Sequence, residues 1–187
     1  MSGSPFEIEM DEMTLARARR GNLDACETIY RKYRHPAFSV AFRICGCRET
    51  AEEVAQEAFI TAFRKIRQFR GDSPFWGWLR RVVVNHAIST IRRNDKTKTV
   101  TFEDYHAPAA DGQQRTGLAM DLEAALGALS ARDRAVVWLH DVEGYNHREI
   151  AEVFGKTESF SKTRLSRARA RLRELLDAGQ NTLRVSR

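Results

Sequence analysis

Apolar side chains recur at helical spacing between residues 50 and 69, and this pattern constrains the fold more than any other feature of the sequence. They fall three and four residues apart, at Val54, Ala55, Ala58, Phe59, Ala62, Phe63 and Ile66. An α-helix turns once in about 3.6 residues, so these side chains form one stripe that must pack against other apolar surface. The segment is predicted to be an amphipathic helix from Thr50 to Phe69.

Similar patterns predict helices along most of the remaining chain. Alanine, glutamate, arginine and leucine dominate these stretches, and only 4 prolines and 11 glycines interrupt the 187 residues. This composition favours helices over strands. Asp24, Ser130 and Thr157 are expected to cap three of the helices. The fold class is therefore predicted to be all-α, with further helices over 14–20, from Asp24 towards Pro36 and on to Gly46, and over 75–93, 118–129, 131–144, 147–154 and 158–176.

Residues 96–117 interrupt the helical pattern. They show no sustained periodicity and contain Pro108, Gly112 and Gly117. About 22 residues is long for a loop inside a compact domain, so the segment is predicted to be a flexible linker. On this interpretation the chain has two small helical domains, at 13–95 and 118–177, with a leader over 1–12 and a C-terminal tail over 178–187.

The net charge of +6 is concentrated in two segments. Residues 64–98 hold ten lysines and arginines against two acids, and residues 156–173 hold seven against one. By contrast, residues 48–57 hold four glutamates and one arginine. Two separate basic surfaces indicate two contacts with a polyanion. The alternative is that both are ordinary solvated helix faces.

A cytoplasmic location is expected from two features of the sequence. No stretch approaches the roughly 18 apolar residues that a membrane helix needs. The N-terminus is acidic, unlike the basic start of a signal peptide, with Glu7, Glu9, Asp11 and Glu12. Thiols stay reduced in the cytoplasm, so Cys26, Cys45 and Cys47 are interpreted as structural thiols, with redox sensing or metal binding as the alternatives.

Nothing in the sequence indicates a catalytic or metal centre. The patterns H-E-x-x-H and C-x-x-C and a glycine-rich phosphate loop are absent. The histidines His86, His106, His140 and His147 are scattered along the chain. No catalytic residue, metal ligand or cofactor is predicted, and the protein is not expected to be an enzyme. A nucleic-acid enzyme stays an alternative that metal-dependent activity on DNA would support.

Residues 147–165 have the layout of a helix-turn-helix. Gly155 permits the left-handed backbone that the turn needs, and Ala151 is small where the two helices would cross. The buried face of the first helix would consist of Ile150, Ala151 and Phe154. The second helix suits the DNA major groove, where arginine and lysine meet guanine acceptors. Its outward side chains are Lys162, Thr163, Ser166, Arg167, Arg169 and Arg173. The alternative is an ordinary helix pair with a charged face.

Residues 75–93 combine aromatic and basic side chains in one helix. Phe75 and Trp76 lie at its start, beside a glycine-containing loop. Exposed rings can stack on unpaired bases while arginines hold the backbone, which favours single-stranded DNA as a ligand. The outward basic residues would be Arg80, Arg81, Arg92 and Arg93, and the buried face would hold Trp78, Leu79, Val82, Val83, Ala87 and Ile91. The alternative, that the tryptophans belong to the core, is favoured for Trp78 and left open for Trp76.

Two blocks of the sequence resemble a known family. Residues 52–66 (E-E-V-A-Q-E-A-F-I-T-A-F-R-K-I) and 69–87 (F-R-G-D-S-P-F-W-G-W-L-R-R-V-V-V-N-H-A) resemble conserved region 2 of extracytoplasmic-function (ECF) sigma factors, group IV of the sigma-70 family. Residues 129–154 and 162–169 (K-T-R-L-S-R-A-R) resemble region 4. Residues 14–45 resemble the first part of region 2, so the likeness covers most of the chain.

The resemblance implies a sigma factor that lends promoter recognition to core RNA polymerase and has no catalytic site. One side of the 50–69 helix would contact the clamp helices of the largest polymerase subunit, through Glu53, Gln56, Glu57 and Ile60. The following loop and helix would capture the melted minus-ten element, through Phe69, Arg70, Gly71, Asp72, Ser73, Phe75, Trp76, Arg80, Arg81, Asn85 and Ser89. The second domain would grip the flap of the second-largest subunit and read the minus-thirty-five element, through Lys162, Thr163, Ser166, Arg167, Arg169 and Arg173.

One step of the sequence departs from the family pattern. Members usually carry G-T-V at the entry to the recognition helix, whereas this chain reads S-F-S at 159–161, so that Ser161 replaces a buried valine. The departure bears on base preference.

The resemblance also suggests a protein partner. Family members commonly answer a stress or envelope signal through an anti-sigma factor that masks both DNA-facing domains. A stand-alone DNA-binding regulator is the competing interpretation. It would need a dimer interface and a palindromic site, and no long apolar seam is evident in the sequence.

Overall fold

The computed structural model describes residues 9–97 and 117–185, with side chains over 9–94 and 122–177. Its described part is built from helices and contains no strand, which confirms the all-α prediction. Most of the predicted linker lies outside the described residues. The helices are α1 (Glu12–Arg19), α2 (Leu23–Cys45), α3 (Arg48–Lys65), α4 (Phe75–Thr97), α5 (Gly117–Gly127), α6 (Ala131–Val137), α7 (His147–Phe154) and α8 (Glu158–Val185).

The start of α2 differs from the prediction. Asn22 is its cap, and the Asn22 side chain accepts a hydrogen bond from the backbone N–H of Ala25 at 2.9 Å. Asp24, the predicted cap, lies in the first turn, where a negative charge is favoured by the helix dipole. The helix continues through Pro36 and ends at Gly46, whose φ of 79° is left-handed.

The first four helices form one bundle. α2, α3 and α4 pack on each other, and α1 packs on α2. The apolar stripe predicted for residues 50–69 faces this core within α3 and a following 3-10 turn over Ile66–Gln68. Full burial of a large apolar side chain contributes about 1.5–3 kcal/mol. The fully buried large side chains here are Ile29, Tyr33, Phe42, Ile44, Val54, Leu79, Val83, Val84 and Ile88.

The last four helices form a second bundle, in which α5, α6 and α7 pack on α8. Ser130 caps α6 as predicted, because its hydroxyl accepts from the backbone N–H of Asp133 at 3.2 Å. After α6 the backbone widens into a π-helical segment over Trp138–Val142. α8 continues to Val185, beyond the predicted end at Leu176. In the described ranges no helix has both the length and the apolar character that crossing a membrane requires.

The two bundles also contact each other. α6 packs on α2, and both α6 and α7 pack on α4. The buried residues of both bundles therefore join into one cluster. The sequence did not predict this contact, which brings the helix-turn-helix against the helix expected to bind single-stranded DNA.

Candidate nucleic-acid interface

The helix-turn-helix predicted for residues 147–165 is formed by α7 and α8. α7 begins with a reciprocal pair of side-chain caps, because Asn146 accepts from the Glu149 N–H at 3.0 Å and Glu149 accepts from the Asn146 N–H at 2.9 Å. Gly155 ends α7 with a φ of 61°, which glycine adopts without steric cost. The buried face of α7 is Ile150, Ala151 and Phe154, as expected.

One side of α8 is open to solvent. Leu165 and Ala168 lie on its other side and are buried. A cavity of about 390 Å³ runs along the open side, and His147 borders it together with α8 residues. The six residues predicted to meet duplex DNA are all exposed: Lys162, Thr163, Ser166, Arg167, Arg169 and Arg173. The helix therefore offers basic and hydroxyl groups along one continuous surface.

Arg169 differs from the other basic residues of α8 because a carboxylate holds it. Its Nε donates to Asp141 at 3.2 Å, and its terminal nitrogen donates to the same carboxylate. Partial burial works against ionisation of Asp141, but hydrogen bonds from Arg169 and His140 outweigh it and lower the Asp141 pKa. In this arrangement Arg169 braces α8 against the π-helical segment. Among the described residues, no carboxylate pairs with Arg167.

The departure at Ser161 has a structural reason. Ser161 is fully buried, and its hydroxyl is 3.0 Å from Nδ1 of His147. The His147 ring stacks on His140, with 4.8 Å between the ring centroids. Desolvation and the neighbouring His140 lower the pKa of His147. A polar contact between the first residue of α7 and the first turn of α8 thus occupies the position where family members usually carry valine.

Breaking this contact is expected to destabilise the helix-turn-helix. His147→Ala leaves the buried Ser161 hydroxyl without its partner, at a cost of about 1–3 kcal/mol. The double variant His147→Ala with Ser161→Val should recover most of that loss, because it removes both polar partners. Urea unfolding followed by circular dichroism measures the difference. His35→Ala, at an exposed position of α2, is the control. A loss for His147→Ala no larger than for His35→Ala would contradict the assignment.

The first bundle exposes a second candidate surface on α4. Arg81, Asn85 and Ser89 are all exposed and follow one another at four-residue steps, so they share one side of the helix. The loop before α4 is also exposed over Arg70, Gly71, Asp72 and Ser73. Arg80 is only partly exposed, because it pairs with Glu143 of the second bundle.

Phe69, Phe75 and Trp76 lie in the core, so the alternative left open for Trp76 in the sequence is decided in favour of burial. Trp76 is 7% exposed, and its ring lies parallel to Tyr33 with centroids 5.7 Å apart. Burial raises the pKa of Tyr33 to about 12. Phe69 and Phe75 are also buried, and their centroids lie 5.3 Å apart. Trp78, expected in the core, is the tryptophan of α4 that keeps partial exposure. In this conformation a base could reach Trp78 more readily than Trp76.

A third surface lies on α3. The four residues of its predicted polymerase-binding side are all exposed: Glu53, Gln56, Glu57 and Ile60. Ile60 is 52% exposed, which leaves a large apolar side chain in a polar surrounding. Oε2 of Glu57 lies 3.4 Å from Nδ1 of His86 on α4. Such a patch suits a protein surface better than DNA, because glutamates repel phosphate.

Burial changes the acidity of two of the three cysteines. Burial raises the pKa of the Cys45 thiol to about 12. A protonated thiol is a poor nucleophile and a poor metal ligand. Burial also raises the pKa of Cys26. Across the part of the chain that is described, no three His, Cys, Asp or Glu side chains come together as a metal site would require.

Comparison with known proteins identifies the family. Residues 29–97 match the family model of sigma-70 region 2, and residues 119–172 match that of sigma-70 region 4. The ECF RNA polymerase sigma factor SigM of Mycobacterium tuberculosis is 32% identical over 166 residues, covering 89% of this chain and 84% of its own. This chain is an ECF sigma factor.

Further relatives and solved structures agree with this assignment. The RNA polymerase sigma-H factor of Pseudomonas aeruginosa is 30% identical to this ECF sigma factor, covering 86% of the chain and 91% of its own. Among solved structures, RpoE of Bartonella quintana in complex with the anti-sigma factor NepR matches 81% of this chain and 96% of its own, with a TM-score of 0.59 and 25% identity. CnrH in complex with the cytosolic domain of CnrY matches 90% and 97%, with a TM-score of 0.51 and 27% identity.

Proposed function

We propose that this ECF sigma factor works by binding core RNA polymerase and holding two forms of promoter DNA on two separate surfaces. The observation that carries the proposal is the presence of two exposed polar surfaces with basic residues on different bundles. One is the open side of α8, and the other is the side of α4 that holds Arg81, Asn85 and Ser89. The division into domains at 13–95 and 118–177, joined by a flexible linker over 96–117, is part of this proposal.

Region 4 would dock on duplex DNA upstream. Lys162, Thr163, Ser166 and Arg167 would enter the major groove at the minus-thirty-five element, where side chains of this type meet base edges. Arg173 would meet phosphate farther along the helix. Arg169 would support the position of α8 through its hydrogen bonds to Asp141, unless DNA displaces that carboxylate.

Region 2 would capture an unpaired base downstream. Asn85 and Ser89 would bind the flipped base of the minus-ten element, next to the exposed loop at 70–73, while Arg80 and Arg81 hold the strand. Binding melted DNA and not the duplex favours opening by differential affinity, without nucleotide hydrolysis. Phe69, Phe75 and Trp76 would support this site from the core.

Core polymerase would hold the two regions at a fixed distance from each other. The exposed side of α3 would contact the clamp helices of the largest subunit, with Ile60 as an apolar anchor among Glu53, Gln56 and Glu57. Region 4 would grip the flap of the second-largest subunit. Control would come from an anti-sigma factor, since the structurally similar sigma factor RpoE of Bartonella quintana was solved in complex with the anti-sigma factor NepR.

Run-off transcription with core polymerase tests the proposal. Arg167→Ala should reduce initiation at promoters with a minus-thirty-five element about tenfold, because one good base contact is worth about 1–3 kcal/mol. Asn85→Ala should impair opening by a similar factor and leave closed-complex affinity unchanged. Both side chains are exposed, so stability should not change. Tight, polymerase-independent binding to duplex DNA would instead favour a stand-alone regulator, and no gain in start-site selectivity would refute the proposal.

A further inference from the structure

Two arginines join the end of α1 to the stretch of chain that precedes α4. Arg19, the last residue of α1, donates from a terminal nitrogen to the carbonyl of Phe69 at 2.8 Å. Arg67, in the 3-10 turn after α3, donates from Nε to the carbonyl of Arg19 at 3.0 Å. The partners are 50 and 48 residues apart in the sequence, so both bonds depend on the tertiary fold. We call these two hydrogen bonds the arginine latch.

Both acceptors of the latch are main-chain carbonyls at the ends of helical segments. The last four carbonyls of an α-helix have no partner within the helix, and the carbonyl of Arg19 is one of these. The guanidinium of Arg67 also meets the negative end of the α1 dipole. Phe69 follows the 3-10 turn in an extended conformation, so its carbonyl is not part of a helix. A hydrogen bond from a charged donor such as Arg19 is stronger than one between neutral groups.

The ring of Phe69 extends the contact into the core. The guanidinium of Arg19 lies 5.5 Å from its centroid, within the range of a cation–π interaction. The same ring meets Phe75, the first residue of α4, edge-on with centroids 5.3 Å apart, and Trp78 at 5.6 Å. Arg19 therefore holds both the main chain and the side chain of Phe69 against the start of α4.

The segment that follows this anchor is the loop over residues 70–74. All five of its residues are exposed, whereas Phe69 and Phe75 on either side are buried. A short loop with both ends fixed has few conformations, and a pre-ordered loop loses less entropy when a ligand binds. Within this loop, residues 70–73 are the ones proposed to lie next to the flipped base of the minus-ten element.

We infer that Arg19 is a positioning residue for base capture, because it holds the start of the 70–74 loop through the carbonyl and the ring of Phe69. Arg67 assists by fixing the end of α1. The inference rests on the proposed function for the role of the loop. Arg19 acts on the base through the loop and not by touching DNA. Loss of the latch would slow promoter opening and leave polymerase binding and upstream docking unchanged, since those proposed surfaces lie on α3 and α8.

Nuclear magnetic resonance relaxation of the free, 15N-labelled protein tests the latch itself. The backbone amides of residues 70–73 should have order parameters of about 0.85 in the wild type and below about 0.6 in Arg19→Met, which keeps a long side chain without a donor. Arg19→Lys retains one charged donor and should restore the order. Arg17→Met is the matched control, since Arg17 lies in the same last turn of α1 and donates to Asn22 instead. Amides around Val54 in α3 should not change in any variant.

The second readout separates DNA binding from DNA opening, with core polymerase and a promoter that the wild-type protein recognises. Arg19→Met should form the closed complex with the wild-type dissociation constant and open it about tenfold more slowly, the scale of one lost hydrogen bond to a charged group. Permanganate reactivity of unpaired thymines follows the opening. Arg19→Lys should recover most of the rate, and Arg17→Met should open DNA as fast as the wild type.

Arg67→Met repeats the comparison from the other side of the latch, in case Arg19→Met does not fold. Arg67 is exposed, so its replacement should leave the chain folded while loop order and opening rate both fall. Unchanged order parameters at 70–73, or an unchanged opening rate, would overturn the inference. An equal loss of closed-complex affinity would also overturn it, because that result indicates general destabilisation. If the proposed function fails, the wild type itself gives no selective run-off transcript, while the order parameters still report on the latch.

Discussion

Phe154→Ala is expected to cost about 3–5 kcal/mol, the usual loss for a buried phenylalanine, and so to raise the unfolded fraction of region 4 about a hundredfold or more. Phe154 is 2% exposed, ends α7, and contacts Phe160 with centroids 5.4 Å apart. A small domain is stable by only about 5–15 kcal/mol, so the loss is a large share of the total. Recognition of the minus-thirty-five element should fall with the folded fraction of region 4.

Amide hydrogen exchange measures this effect locally, because region 4 can open while region 2 stays folded. Protection in α7 and α8 should fall, while protection in the α3 core around Val54 should not. Phe160→Ala is the matched control, since Phe160 is only partly buried and its loss should cost less. Equal exchange rates in wild type and Phe154→Ala would show that this side chain does not hold the helix-turn-helix together.

Ile60→Asp is expected to weaken binding to core polymerase about a hundredfold, because an unpaired carboxylate buried in an apolar contact costs about 3 kcal/mol. The substitution should not unfold the chain, since Ile60 is 52% exposed on α3. Titration of fluorescently labelled protein with core polymerase gives the dissociation constant. The outcome depends on the proposal that this side of α3 is the polymerase contact.

Met13→Asp is the matched control for the polymerase contact. Met13 is 76% exposed on α1, so it undergoes the same apolar-to-acidic change away from α3. The affinity of the Met13→Asp variant for polymerase should equal that of the wild type. If Ile60→Asp also bound normally with an unchanged circular dichroism spectrum, the polymerase contact would have to lie on another surface.

The structure gives the basic residues of α8 different tasks. Arg169 is held by Asp141, and Arg164 pairs with Asp133 at 3.0 Å, so both brace the helix against the rest of region 4. Arg167 has no such carboxylate among the described residues. The free guanidinium is therefore the better candidate for reading a base, whereas substitution of Arg169 would mix effects on stability with effects on DNA.

Local sequence determined the helices and much of the candidate sites. The spacing of apolar residues predicted α3, and a glycine at 155 with an alanine at 151 predicted the turn and crossing of the helix-turn-helix. The exposed sides of α3 and α8 followed from the same periodicity, because a residue's side of a helix depends on its position relative to near neighbours. The helix caps were harder to predict from local sequence. Asn22 and Asp24 are both residue types that cap helices well, and the backbone conformation in the folded chain makes Asn22 the cap of α2.

Tertiary structure decided which aromatic rings and arginines are available. Trp76 and Trp78 are two residues apart and therefore lie on different sides of α4, and in the folded chain Trp76 packs parallel to Tyr33 of α2 while Trp78 keeps partial exposure. Arg169 and Arg167 look alike in the sequence, and Asp141, 28 residues from Arg169, distinguishes them. The contact of Arg134 with the end of α2 spans 89 residues. Helical periodicity reports on neighbours within a few residues, whereas such pairs depend on how whole helices pack, which no local spacing encodes.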